Sequence, residues 1–152
     1  MIENVEKTIR DYLPEVIHLS LATCHDNMPW VCEVHYVFDA DLNLYWRSRS
    51  TKRHSKEIEA NPNVAGNIVK QHTADEEPRG VYFEGAAEML YHVDANHPAY
   101  KLYCERFGTD KDILAEAETD HGHKFYKISV KKYYLFDNKD SHPSKKYELE
   151  WK

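Results

Sequence analysis

The run Arg47-Ser48-Arg49-Ser50-Thr51-Lys52-Arg53-His54-Ser55-Lys56 holds five basic side chains, four hydroxyls and no acid. The remainder of the 152-residue chain carries 15 basic and 26 acidic residues, so the net charge of −6 hides a cationic island in an acidic body. The island covers the predicted end of a strand and the first turn of a helix. Cations at a helix N-terminus oppose the macrodipole, at a cost of a few tenths to about 1 kcal/mol each. The same place offers free backbone N–H groups and hydroxyls, which together suit a phosphate. With an anion bound, Lys52 and Arg53 become its counter-charges. On the preceding strand Tyr45, Arg47 and Arg49 share one face, and Leu44, Trp46 and Ser48 share the other. A solvated basic surface is the plainer alternative. Neither G-x-x-x-x-G-K-[ST] nor G-x-G-x-x-G occurs, so a Walker loop and a Rossmann turn are excluded.

Other reactive side chains form no comparable group. No acid–base dyad is evident, and no catalytic residue is assigned. Of the ten histidines only His121-Gly122-His123 and the pair Cys24-His25 suggest ligands, and neither has partners at zinc spacing. No metal is therefore assigned, and His121 and His123 read as surface residues of a polar turn. Cys24, Cys32 and Cys104 contain no C-x-x-C, as expected of free thiols in a cytoplasmic protein. The acidic balance, with a pI near 5.9, argues against nucleic acid and anionic lipid as partners. No stretch approaches the ~18 consecutive apolar residues of a membrane span. Charges throughout the first 13 residues rule out a signal peptide's apolar run.

Hydrophobic spacing gives the elements that must position the island. Ile2, Val5, Ile9, Tyr12 and Leu13 predict an amphipathic helix closed by Pro14. Strands are expected over Val16–Thr23, Trp30–Phe38 and Leu42–Arg49, with turns at Asp26-Asn27-Met28-Pro29 and Asp39-Ala40-Asp41. Ser50 is the expected N-cap of a helix over Thr51–Ala60, which Asn61-Pro62 ends. A short strand over Val64–Lys70, a polar loop and a long strand over Val81–Tyr91, bent at Gly85, follow. Pro98 opens a helix that Gly108 stops. Thr109-Asp110-Lys111-Asp112 has the form of a capping box for a shorter helix to about Ala117. Lys124–Val130 and Lys132–Phe136 read as one or two closing strands. The expected whole is a single domain over 1–152, with an N-terminal helix in 1–14 and a polar tail in 137–152. Its class is mainly β with peripheral helices, built of antiparallel strands curled into a barrel. Eleven Tyr, five Phe and three Trp fit that class. Tyr82, Phe83, Tyr126 and Phe136 read as core; Trp30 and Trp46 are left open to core or ligand.

In order and spacing these segments resemble a known family. Leu21-Ala22-Thr23, Met28-Pro29-Trp30-Val31 and Val34-His35-Tyr36-Val37 are similar to the start of the pyridoxamine 5'-phosphate oxidase-like FMN-binding split barrels. Leu44-Tyr45-Trp46-Arg47-Ser48, Ser50-Thr51-Lys52-Arg53-His54, Ile58, Asn61-Pro62-Asn63-Val64-Ala65 and Gly85-Ala86-Ala87 continue the likeness. The resemblance implies a six-stranded antiparallel Greek-key split barrel, a homodimer, and FMN at the subunit interface. It places the flavin ring near His35, Tyr36, Trp46, Arg47 and Ser48, and the phosphate with Thr51, Lys52 and Arg53. Arg47 and Lys52 rank first, and Gln71 is a weaker candidate contact. The implied activity is a flavin-dependent oxidoreductase acting on a small molecule. A deazaflavin cofactor, a haem-binding or haem-degrading barrel, and a non-catalytic flavin binder are the alternatives. The last arginine is Arg106, so the C-terminal arginine and histidine that grip substrate phosphate in the oxidases proper have no counterpart.

Overall fold

The computed structural model describes residues 4–108, 112–137 and 145–151. Helix α1 (Val5–Tyr12) is capped by the Asn4 side chain, which accepts from the Lys7 N–H at 2.9 Å. A 3-10 turn (Leu13–Glu15) containing Pro14 ends it, as the spacing predicts. Strands β1 (His18–His25) and β2 (Met28–His35) form a hairpin on the two-residue turn Asp26-Asn27. Both turn residues have positive φ, 50° and 61°, the backbone that Asp and Asn tolerate best after glycine. Met28 and Pro29, expected in the turn, already belong to β2. Pro29 is tolerated because β2 lies at the end of the strand order.

At Tyr36 the chain bends out of β2 into β3 (Val37–Phe38), which pairs with β4 (Leu44–Arg49). The strand order is β2-β1-β5-β6-β7-β4-β3, every pair antiparallel, with β5 (Asn63–Val69), β6 (Arg79–Met89) and β7 (His123–Asp137). Consecutive β2 and β3 thus stand at opposite ends of the order, so the chain itself closes the sheet into a barrel. The crossing from β4 to β5 runs through α2 (Arg53–Ala60) and supplies the non-sequential neighbours of a Greek key.

Among the described residues eight strands replace the six expected. The bend at Tyr36 divides one path into two strands. The other addition is β8 (Lys145–Glu150), which pairs with the second half of β7 where an irregular tail was expected. Alternation outweighs charge there: Tyr147, Leu149 and Trp151 pack against the main core. The two closing segments are one strand, β7. The bend at Gly85 is a register shift against β7, and a Cβ there would stand 2.4 Å from the Ser129 carbonyl oxygen.

The barrel interior is filled by Leu19, Leu21, Leu44, Trp46, Ile68, Val81, Phe83, Ile128, Tyr133 and Leu135. A second cluster of Val37, Tyr45, Ala99, Ile113 and Phe125 lies outside the barrel. It seats α3 (Pro98–Phe107, ending at Gly108) and α4 (Ile113–Ala117) against the outer face of β4 and β7. The face assignment made for β4 therefore holds. Phe83 and Tyr126 are core as expected, whereas Tyr82 and Phe136 are only half-buried. Asp112 caps α4 through a bond from the Ala115 N–H; the rest of the predicted capping box, 109–111, lies outside the described residues.

Candidate functional site

Between β2, β4 and the helices outside them lies a cleft of about 680 Å³. Glu33, Val34 and His35 of β2 form one wall, and Arg47, Ser48 and Arg49 of β4 the floor. Lys52 and His54, together with Tyr103, Ile113, Glu116 and His123, complete the lining; His123 is the cross-strand partner of Arg49. Four of the expected site residues, His35, Arg47, Ser48 and Lys52, are brought together here. The imidazole of His35 stacks on Phe107, with centroids 5.3 Å apart and planes inclined by 13°.

The other five expected residues lie elsewhere. Tyr36 is wholly buried and donates its hydroxyl to the Leu13 carbonyl oxygen at 2.8 Å. Trp46 is also wholly buried, stacked on Tyr126 at 5.0 Å inside the barrel. That is the face of β4 opposite Arg47. Thr51 is exposed in the turn before α2 and does not line the cleft. Arg53 donates through Nε to the buried Glu57 (3.3 Å) and lies 4.3 Å over the Trp30 ring. Glu57 also accepts from the Thr23 hydroxyl at 2.9 Å, so Arg53 completes a structural network. Gln71 lines a separate polar hollow beside Tyr12, Lys70 and Arg79.

Ser50 is not the N-cap of α2. The Lys52 N–H turns back onto the Arg49 carbonyl (3.2 Å), which moves the cap to Lys52 and leaves it without a side-chain bond. No acid occupies the first turn of α2. The helix therefore presents unsatisfied N–H groups and a partial positive charge beside Lys52 in the cleft. Among the described residues neither Arg49 nor Lys52 has an ion-pair partner. His54 is buried, its Nε2 2.8 Å from Ser48 Oγ. Burial, and then Lys52, hold its pKa below the ordinary histidine value against the pull of Glu57.

Arg47 is bound differently. Its side chain is 13% exposed, its Nη2 donates to Glu116 Oε2, and its guanidinium covers Tyr103 and Phe125 at 5.8 and 5.4 Å. Glu116 Oε1 accepts from His123 Nδ1 (2.7 Å) and from the His123 N–H (3.2 Å). The His123 side-chain bond, then its backbone N–H and Arg47, hold the Glu116 carboxyl down to about 2 against a weaker opposing effect of burial. His123, read as a surface residue, is thus a wall of the cleft. Glu116 was not singled out at all: its alliance with Arg47 spans 69 positions, and no local spacing signals it. Arg49 and His54 were inside the basic island, and the strand-face pattern already aligned Arg49 with Arg47.

These features define an antiparallel split barrel with a cation-lined cleft on its flank. The family described as pyridoxamine 5'-phosphate oxidase matches residues 5–137, and the chain belongs to that family. A UPF0306 protein of Photorhabdus laumondii is 31% identical over 100 residues, 65% of this chain and 69% of that protein. Among solved structures, a heme-binding protein from Mycobacterium smegmatis superposes with a TM-score of 0.76 at 14% identity. That match covers 99% of this chain and 59% of the other, so this chain spans about three fifths of that protein. An FAD-binding protein from Mesorhizobium loti matches with a TM-score of 0.63 at 20% identity, over 86% of this chain and 90% of that one. At such identities the solved structures establish the fold alone. No helix among the described residues is long and apolar enough to cross a membrane.

Proposed function

We propose that the protein binds FMN in the cleft and acts as a flavin-dependent oxidoreductase on a small molecule. The observation that carries this reading is Arg49 and Lys52, two cations without ion-pair partners among the described residues, beside an uncapped helix N-terminus. A phosphate satisfies all three at once. His35 on Phe107, with Tyr103 across the cleft, gives a flat ring something to lie against. When bound, the flavin supplies the electron transfer, so the protein needs only to hold it, tune it and admit a substrate. In this reading the homodimer places a second subunit over the cleft and encloses the ring. A purified protein that is yellow, or that quenches FMN fluorescence on titration, supports the assignment. A colourless protein indifferent to added FMN removes it.

Haem binding is the second reading, favoured by three imidazoles in the cleft wall, those of His35, His54 and His123. Two of them are already engaged, His54 with Ser48 and His123 with Glu116, which leaves His35 as the candidate ligand. A Soret band on adding haemin, tighter than FMN binding and lost in His35→Ala, selects this reading instead.

A further inference from the structure

His35 reaches the cleft from the last position of β2, just before the bend at Tyr36, and it is exposed. An exposed imidazole ordinarily samples several rotamers. Here two consecutive residues at the end of α3 hold the two consecutive residues of the bend. The Phe107 ring lies on one face of the His35 imidazole, nearly parallel to it. Phe107 is itself braced by Tyr103, with centroids 4.8 Å apart. Arg106 takes the neighbouring backbone: its Nη1 donates to the Tyr36 carbonyl oxygen at 3.0 Å, and its guanidinium lies 4.8 Å over the Tyr36 ring. Where the chain leaves α1, Nη2 donates to the carbonyl oxygens of Leu13 (3.3 Å), Pro14 (3.4 Å) and Val16 (2.6 Å). No carboxylate among the described residues pairs with Arg106. A guanidinium spent on backbone carbonyls of two separate segments fixes geometry rather than balancing charge. The Tyr36 N–H adds a bond to the Ile17 carbonyl oxygen at 3.2 Å, so the bend is tied to the same segment twice.

We propose that Arg106 and Phe107 are positioning residues for His35: they fix its imidazole in the cleft wall, one face on Phe107 and the other turned to a flat ligand. No other ring among the described residues stacks on His35, which leaves that second face uncovered. A ring already set in place need not be ordered when the ligand arrives, so less of the binding energy is lost. The inference rests on the flavin reading only for the identity of the ligand; the placement of the imidazole is a property of the protein alone.

Proton NMR of the His35 ring without ligand reads the placement, because protons held over an aromatic face are shielded. In the wild type these protons lie upfield of an unstacked histidine. Phe107→Leu returns them to the ordinary position, Phe107→Tyr keeps them upfield, and Arg106→Lys, which keeps the charge but loses the fork, moves them part of the way back. Fluorescence titrations with FMN and riboflavin read the consequence. Phe107→Leu and Arg106→Lys weaken both flavins alike, about fivefold, the scale of ordering one side chain on binding, and Phe107→Tyr restores both. Wild-type His35 protons at the unstacked position overturn the proposal. So does a Phe107→Leu protein that binds both flavins as the wild type does, or a loss that Phe107→Tyr does not restore. Unmoved His35 protons in Arg106→Lys remove Arg106 from it. If that variant fails to fold, solvent exchange of the wild-type guanidinium protons decides: slow exchange supports the grip on the carbonyls, and fast exchange overturns it. A protein that binds neither flavin removes the flavin reading alone, since the His35 protons are read without ligand.

Discussion

In the cleft Arg47 is almost covered, stacked against two rings and paired with a carboxylate from a distant helix. Arg49 and Lys52 stand exposed, without ion pairs among the described residues, beside the bare N-terminus of α2. These cations are of the same residue types, yet one charge has been absorbed into the structure and the others remain available. Arg53 belongs with Arg47 in this respect, because Glu57 and Trp30 already engage it. A cationic residue is a candidate anion ligand only when the fold has left its charge unanswered, and charge density along the sequence does not report that.

The contrast can be broken at several points. Gly122→Ala should have the largest effect, costing about 3 kcal/mol in urea unfolding, because its Cβ has no room beside the Glu116 carbonyl. Arg47→Ala should cost about 2 kcal/mol. That is below the range for a fully buried pair because Glu116 is 39% exposed. Arg49→Ala should leave stability within about 0.5 kcal/mol. Binding reverses the order: Lys52→Ala should weaken FMN about fivefold, while Arg53→Ala should change it by less than about twofold in the same fluorescence titration.

The smallest effect concerns pH. Glu116 is held near 2, below its ordinary value of 4.5, so it contributes stability that is complete above 4.5 and is lost as the pH falls toward 2. The stability gap between wild type and Glu116→Gln should therefore narrow from pH 5 to pH 3. A constant gap would mean that Glu116 is not preferentially ionised in the folded protein.

Much of the barrel was legible because strand alternation and turn chemistry are local. The hairpin at Asp26-Asn27, the opposed faces of β4 and the bend at Gly85 all follow from neighbouring residues. The tail was misjudged because its charges are the outward half of an alternating strand whose inward half is Tyr147, Leu149 and Trp151. In the cleft, the sequence located Arg47, Ser48 and Lys52 through the island, and the resemblance added His35. It also drew in Tyr36 and Trp46, whose aromatic rings suit a flavin as well as they suit a core; alternation along β4 set Trp46 on the face opposite Arg47 without saying which face was the inner one. Glu116 and His123 were missed because what recruits them is contact between α4, β7 and β4, and such contact leaves no periodicity to read.

The most direct test compares FMN with riboflavin, which lacks the phosphate, in fluorescence titrations of the wild-type protein and of Arg49→Ala/Lys52→Ala. With the phosphate seated at Arg49 and Lys52, the wild type should bind FMN about tenfold more tightly than riboflavin, and the double variant should bind the two alike. Equal binding of both flavins by the wild type, or a preference for FMN that survives in the double variant, would contradict the account.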